Sequence, residues 1–179
     1  MRIIGGNFKG KKILEPKDKE TRPLKDLTKE SIFNIINHSN KFSIDLKKSY
    51  VLDLFSGTGS FGLECLSRNA RHVSFVENYK GILTILKKNL LNLKTINNYS
   101  IIEKNILIDS DFLEKKEKFD IIFLDPPYKE KKINIILKNL SKFKTLKPEG
   151  IVIIHRHKKE QNNFLEEFKI IEEKKYGIS

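Results

Sequence analysis

The sequence predicts an α/β chain: a mainly parallel sheet with helices on both faces, preceded by a small β-hairpin. Three observations predict it. From Tyr50 onward, short apolar runs of strand character alternate with segments of helical periodicity, the pattern of parallel strands joined by helical crossovers. The first of these runs ends in a glycine turn that opens directly into a helix. A chain of 179 residues makes one ordinary domain with room for a sizeable core.

Taken in order, Arg2 to Leu14 alternates apolar and polar positions around Gly5-Gly6 and Gly10, which predicts a β-hairpin with a basic exposed side. We therefore expect a hairpin extension over 1–20 and the main domain over 21–179. Leu24 to Asn37 carries Leu27, Ile32, Phe33 and Ile36 at near-helical spacing. Strands are expected near 50–54, 72–77, 100–103, 119–124, 150–154 and 168–174, with helices from Ser60 to Ser67 and from Ile82 to Leu93. Segments 38–49 and 109–118 read as polar connectors.

Asp125-Pro126-Pro127-Tyr128 follows the apolar run Phe119–Leu124 and so falls on the rim where such sheets bind ligands. The prolines fix φ and remove two N–H donors, so the loop offers the Asp125 carboxylate and the Pro126 carbonyl as stiff acceptors. Tyr128 adds a π-face. Two acceptors beside a flat ring suit the exocyclic amine of an extruded nucleobase. Asp and Pro are also ordinary residues for a turn after a strand.

Upstream, Tyr50–Phe55 leads into Ser56-Gly57-Thr58-Gly59-Ser60-Phe61-Gly62, a match to the dinucleotide fingerprint. Asp53 decides between cofactors. A carboxylate there repels a pyrophosphate but attracts a ligand carrying an ammonium and a sulfonium, such as S-adenosylmethionine. Glu77, the last residue of the run His72–Glu77, suits the ribose of either cofactor and can equally be a solvated strand-end charge.

The net charge of +12 predicts attraction to polyanions, and nucleic acid or an anionic membrane satisfies it equally. No apolar run approaches ~18 residues, and Met1 to Gly10 lacks the apolar stretch of a signal peptide, so a cytoplasmic location is expected. Cys65 is the only cysteine, which excludes an internal disulfide, and its place on the helix after the glycine turn suits core filling. His155-Arg156-His157 reads as a basic loop, and no metal is assigned.

The glycine turn and the DPPY loop, in that order, resemble class I S-adenosylmethionine-dependent methyltransferases acting on exocyclic amino groups. Arg2-Ile3-Ile4-Gly5-Gly6, Phe8-Lys9-Gly10-Lys11-Lys12, Thr21-Arg22-Pro23, Glu30-Ser31-Ile32-Phe33-Asn34 and Tyr176-Gly177 narrow the resemblance to the RsmD family. It covers nearly the whole chain. It implies a Rossmann-like methyltransferase domain that uses S-adenosylmethionine to methylate guanine N2 in small-subunit (16S) ribosomal RNA. Its partner would be that RNA or the assembling ribosomal particle, met by a monomer.

On this resemblance Asp125, Pro126 and Tyr128 are the catalytic residues, and Asp53, Phe55, Gly57, Gly59, Glu77 and Asn105 the cofactor-binding ones. Arg2, Lys9, Lys11, Lys12, Arg22 and Lys129 would grip phosphates. Asn105 stands where the family often has an Asp, and an amide oxygen can still accept the adenine amino bond. His155 stands where the family commonly carries a Glu. The resemblance also implies a last antiparallel strand near Ser179; either the sheet is one strand short or the sequence given ends early. Three alternatives remain open here: an N6-adenine DNA methyltransferase with the same loop, a NAD-dependent oxidoreductase disfavoured by Asp53, and a non-catalytic RNA-binding domain.

Overall fold

The computed structural model describes residues 1–16, 24–94, 96–114, 117–127, 130, 132–157, 159–160 and 164–176. Five parallel strands, β1 (Tyr50–Leu54), β2 (His72–Val76), β3 (Tyr99–Ile102), β4 (Phe119–Leu124) and β5 (Leu146–Ile154), form one sheet in the order β3-β2-β1-β4-β5. The chain builds outward from β1 to β3, then returns to place β4 on the other side of β1. This reversal is a topological switch point, and it opens a crevice at the carboxyl ends of β1 and β4.

Side-chain alternation along each strand sorts the core into two layers. Val51, Val73, Phe75, Ile121 and Phe123 face α1 (Asp26–His38), α2 (Ser60–Ser67) and α3 (Lys80–Leu91). Leu52, Leu54, Val76, Ile122 and Leu124 face α4 (Ile133–Lys142), whose Ile133, Ile136, Leu137 and Leu140 recur at helical spacing. Helices thus cover both faces, as expected. Phe33, Phe61 and Phe123 stack in series at centroid distances of 5.4 and 4.0 Å, tying α1 and α2 to β4, the strand just before Asp125.

Four expectations are corrected. The N-terminal β-hairpin does not form: residues 1–16 contain a single antiparallel bridge, Arg2 to Lys12, around a 3₁₀ turn at Gly6–Phe8. The reason is competition for backbone donors. The Lys11 N–H, which a ladder would give to the Ile3 carbonyl, goes to the Phe8 carbonyl at 3.0 Å, and the Ile3 carbonyl accepts from Gly10 N–H at 2.8 Å. Ile4 N–H, bonded to Glu64 Oε2 at 2.8 Å, and Phe8 N–H, bonded to Ser67 Oγ at 2.9 Å, fasten the segment to α2. Gly6, at φ +74°, lies where a β-carbon would sit 2.0 Å from the Ser67 carbonyl oxygen.

No strand forms over 168–174, where the Ile171 carbonyl instead accepts a bond from Lys41 Nζ at 2.9 Å. The polar reading of the connectors also missed short 3₁₀ turns at Leu46–Lys48 and Asp111–Glu114, which bury Leu46, Phe112 and Leu113. Sequence reading also did not mark α4, and it started the fifth strand late. β5 begins at Leu146, with a register shift opposite Phe119 and Ile121.

The N-terminal segment is held down by a buried charged network. Lys29, with a fully buried side chain, reaches the Arg2 carbonyl and lies 3.8 Å from Glu64, which is itself fully buried and accepts from Arg68 Nε at 3.0 Å. Burial pulls the Lys29 ammonium below its ordinary pKa despite Glu64 and Asp26 beside it. Ile3 and Ile13 enter the same core as α1 to α3. Cys65 is buried on α2, as expected, and burial raises its thiol pKa well above the ordinary value.

Candidate active site

Every candidate cofactor residue lies at or just past the carboxyl end of β1, β2 or β3, and Asp125 and Pro126 at that of β4. Asp53 shares a sheet face with Val51, so it points under α2, and Gly62 N–H donates to its Oδ2 at 3.0 Å. This is a buried carboxylate cap on a helix N-terminus. At 1% exposure, desolvation raises the Asp53 pKa well above its ordinary value, and the charges of Asp125 and Glu77 add to the rise.

The glycine turn needs its glycines. Gly57 and Gly59 sit at φ 54° and 83°, and a β-carbon on Gly59 would meet Leu86 Cδ1 at 2.5 Å. Phe55, at φ 57°, is held in the same left-handed region without that freedom, a strained residue next to the strand tip. Gly62 lets α2 lie close on β2, where a β-carbon would reach Phe75 at 2.2 Å.

Glu77 accepts three backbone N–H groups: Gly57 on Oε2 at 2.8 Å, and Asn78 and Tyr79 on Oε1 at 2.8 and 2.9 Å. The expected ribose acceptor therefore also pins the glycine turn. Asn105 Oδ1 accepts the Leu107 N–H at 3.0 Å, closing the turn after β3.

At the end of β4, Pro126 is buried and Pro127 exposed. The Pro127 carbonyl accepts the Glu130 N–H at 2.8 Å, while that of Pro126 accepts no bond from the described residues. Asp125 is one-fifth exposed and meets His155 Nδ1 at 2.7 Å. Tyr128, Lys129 and Arg22 lie outside the described residues.

Of the remaining basic candidates, Arg2 is 3.5 Å from Asp26, and Lys11 Nζ bonds the Asn92 carbonyl and lies 5.4 Å from the Phe8 ring centroid. The exposed side chains of Lys9 and Lys12 have no partner among the described residues.

Sequence reading missed two residues. His155 stands out in the sequence as part of a basic loop and as a departure from the family pattern, with no role at Asp125, because that contact depends on strand order. Buried Asn89, on α3, accepts the Leu14 N–H at 2.8 Å and donates to the Leu14 and Thr58 carbonyls at 3.1 and 3.0 Å, joining the N-terminal segment to the glycine turn. A lone polar residue among Ile82, Leu83, Leu86 and Leu90 was the available signal. Among the described residues, no His, Cys, Asp and Glu group is placed to hold a metal, and no helix is long and apolar enough to cross a membrane.

A five-stranded parallel sheet with a glycine turn after β1 and acids at neighbouring strand ends defines a Rossmann-like S-adenosylmethionine methyltransferase fold. The chain belongs to the RsmD family: the family described as "Conserved hypothetical protein 95" matches residues 1–179. It is 33% identical to ribosomal RNA small subunit methyltransferase D of Haemophilus influenzae over 99% of this chain and 90% of that one. Its counterpart of that name in Escherichia coli K12 is 32% identical over 78% and 68% of the two chains. The solved structure of Escherichia coli yhhF superposes with a TM-score of 0.81 at 27% identity, covering 99% of this chain and 93% of that one.

Proposed function

We propose that this protein methylates the exocyclic N2 amine of a guanine in small-subunit (16S) ribosomal RNA, with S-adenosylmethionine as donor. One observation carries the reading: the Asp125 and Pro126 acceptors and the glycine turn with its acids project from β4 and β1, strands paired across the switch point. The names of the Haemophilus and Escherichia relatives support the RNA class.

The guanine amine is a poor nucleophile because its lone pair is delocalised into the ring. Asp125 and the Pro126 carbonyl accept its two N–H bonds and draw the nitrogen toward a pyramidal geometry, with the lone pair aimed in line. Tyr128 holds the base plane. The carboxyl groups of Glu77 and Asp125, just past the ends of β2 and β4, crowd Asp53, and a rim of acids fits a cationic ligand. Asp53, Phe55, Gly57, Gly59, Glu77 and Asn105 are the residues that would hold it. When bound, S-adenosylmethionine supplies a methyl group already activated by its sulfonium, so the chain contributes positioning and electrostatics, and no metal enters the reading. Among the described residues Lys9 and Lys12 are the most available of the proposed phosphate contacts, with Arg2, Lys11, Arg22 and Lys129 completing the set.

The test is methyl transfer to purified small-subunit RNA and to small-subunit particles, with mass spectrometry of the product nucleoside. N2-methylguanosine formed by the wild type and lost in Asp125→Ala, with cofactor affinity kept, is the expected result. A product of N6-methyladenine in duplex DNA would replace the reading with the DNA methyltransferase alternative, and binding of RNA without any transfer would leave an RNA-binding domain.

A further inference from the structure

We infer that His155 is a positioning residue for Asp125: its Nδ1–H fixes Oδ1 and leaves Oδ2 as the oxygen presented to the amine. The inference rests on Asp125 being the amine acceptor. It starts from a shortage in the loop itself. Pro126 and Pro127 have no N–H, and the Asp125 N–H points back to the Leu54 carbonyl at 3.4 Å. Among the described residues the main chain after Asp125 therefore offers no donor to orient its carboxylate. In-line attack needs that oxygen in one place. The donor comes from the next strand.

β4 and β5 run parallel with Leu124 opposite Ile154, so Asp125 and His155 leave the sheet side by side. His155 N–H donates to the Leu124 carbonyl at 2.9 Å, anchoring the backbone beneath the ring. Nδ1 then lies 2.7 Å from Oδ1, with the two side chains 15% and 21% exposed. An ionised carboxylate only accepts, so Nδ1 is the donating nitrogen. His155 Nε2 is buried with no partner among the described residues, so the bond that sets the ring's orientation is the one to Asp125.

The experiment compares the full-length wild type with His155→Phe and His155→Asn, using small-subunit particles as substrate. Phe keeps the ring volume and has no donor; Asn places an N–H donor near the Nδ1 position. Loss of a hydrogen bond to a charged acceptor should lower kcat about 10- to 100-fold in His155→Phe. KM for the particle and S-adenosylmethionine affinity should stay within about 2-fold, because His155 is proposed to act on Asp125 alone. His155→Asn should recover kcat to within about 5-fold of wild type. Nitrogen-15 NMR of the ring should show the proton on Nδ1 in the wild type, a reading that does not depend on turnover.

Full activity in His155→Phe, an Asn variant no better than Phe, or a proton on Nε2 alone would overturn the inference. An active Asp125→Ala would instead overturn the amine-acceptor role of Asp125, and a wild-type product other than N2-methylguanosine the function proposed above, so the failures are separable.

Discussion

The Glu77 carboxylate accepts the Gly57 N–H at 2.8 Å, so the acid at the end of β2 fixes the turn at the end of β1. Truncation at this position therefore acts twice. Glu77→Ala strands three backbone donors, at a cost of about 1–3 kcal/mol in stability if only one of them stays dry. It should also weaken S-adenosylmethionine binding. Glu77→Gln retains one acceptor oxygen and should lose less of both; denaturant melts beside calorimetry separate the two losses, and unchanged cofactor affinity in Glu77→Ala would remove this residue from the cofactor site.

Gly59 carries two separable constraints. A side chain there meets the left-handed φ of 83°, a penalty of roughly 1–2 kcal/mol, and also the Leu86 methyl in the core. Gly59→Ala should be destabilised by both. Adding Leu86→Ala makes room for the new methyl group, so the double variant should be more stable than the sum of the single losses. Strict additivity in that cycle would mean that the Leu86 side chain is not the obstacle.

Asp53 should trade stability against cofactor affinity. Its folded pKa is raised by burial, so as pH climbs above the ordinary aspartate value the unfolded chain releases its proton first. Stability is then lost over the window up to the folded value and levels off above it. Asp53→Asn keeps an acceptor for Gly62 N–H but does not titrate, so it should be more stable than wild type at neutral pH with a flatter pH dependence. The same variant should bind S-adenosylmethionine more weakly. Parallel stability profiles for the two proteins would refute the buried-acid account.

The N-terminal segment should divide into gripping and anchoring residues. Replacing Lys9 and Lys12 by Gln should flatten the salt dependence of RNA binding by roughly 0.7 to 0.9 in log–log slope for each phosphate no longer neutralised, without changing cofactor affinity or stability. Asn89→Leu should instead loosen the glycine turn and weaken cofactor binding, since it cuts the link from Leu14 to Thr58. An RNA salt slope unmoved by the lysine changes would take this face out of the RNA interface.

Much of this protein was legible in the sequence because the signals were local. The apolar runs at 50–54, 72–76 and 119–124 mark buried strands on their own. The glycines of the first turn and the prolines after β4 state their backbone demands without reference to anything distant. Tertiary structure alone decided what depends on which strand lies beside which, and on which backbone donors another element claims first. The order β3-β2-β1-β4-β5 makes His155 the neighbour of Asp125, although 30 residues separate them. The Phe8 carbonyl takes the Lys11 donor that would have closed an N-terminal hairpin, Glu64 and Ser67 on α2 fasten that segment through Ile4 and Phe8, and Lys41 takes a carbonyl from the expected strand at 168–174. A hydrogen-bonding group is spent only once, and sequence periodicity does not record which distant partner it is spent on.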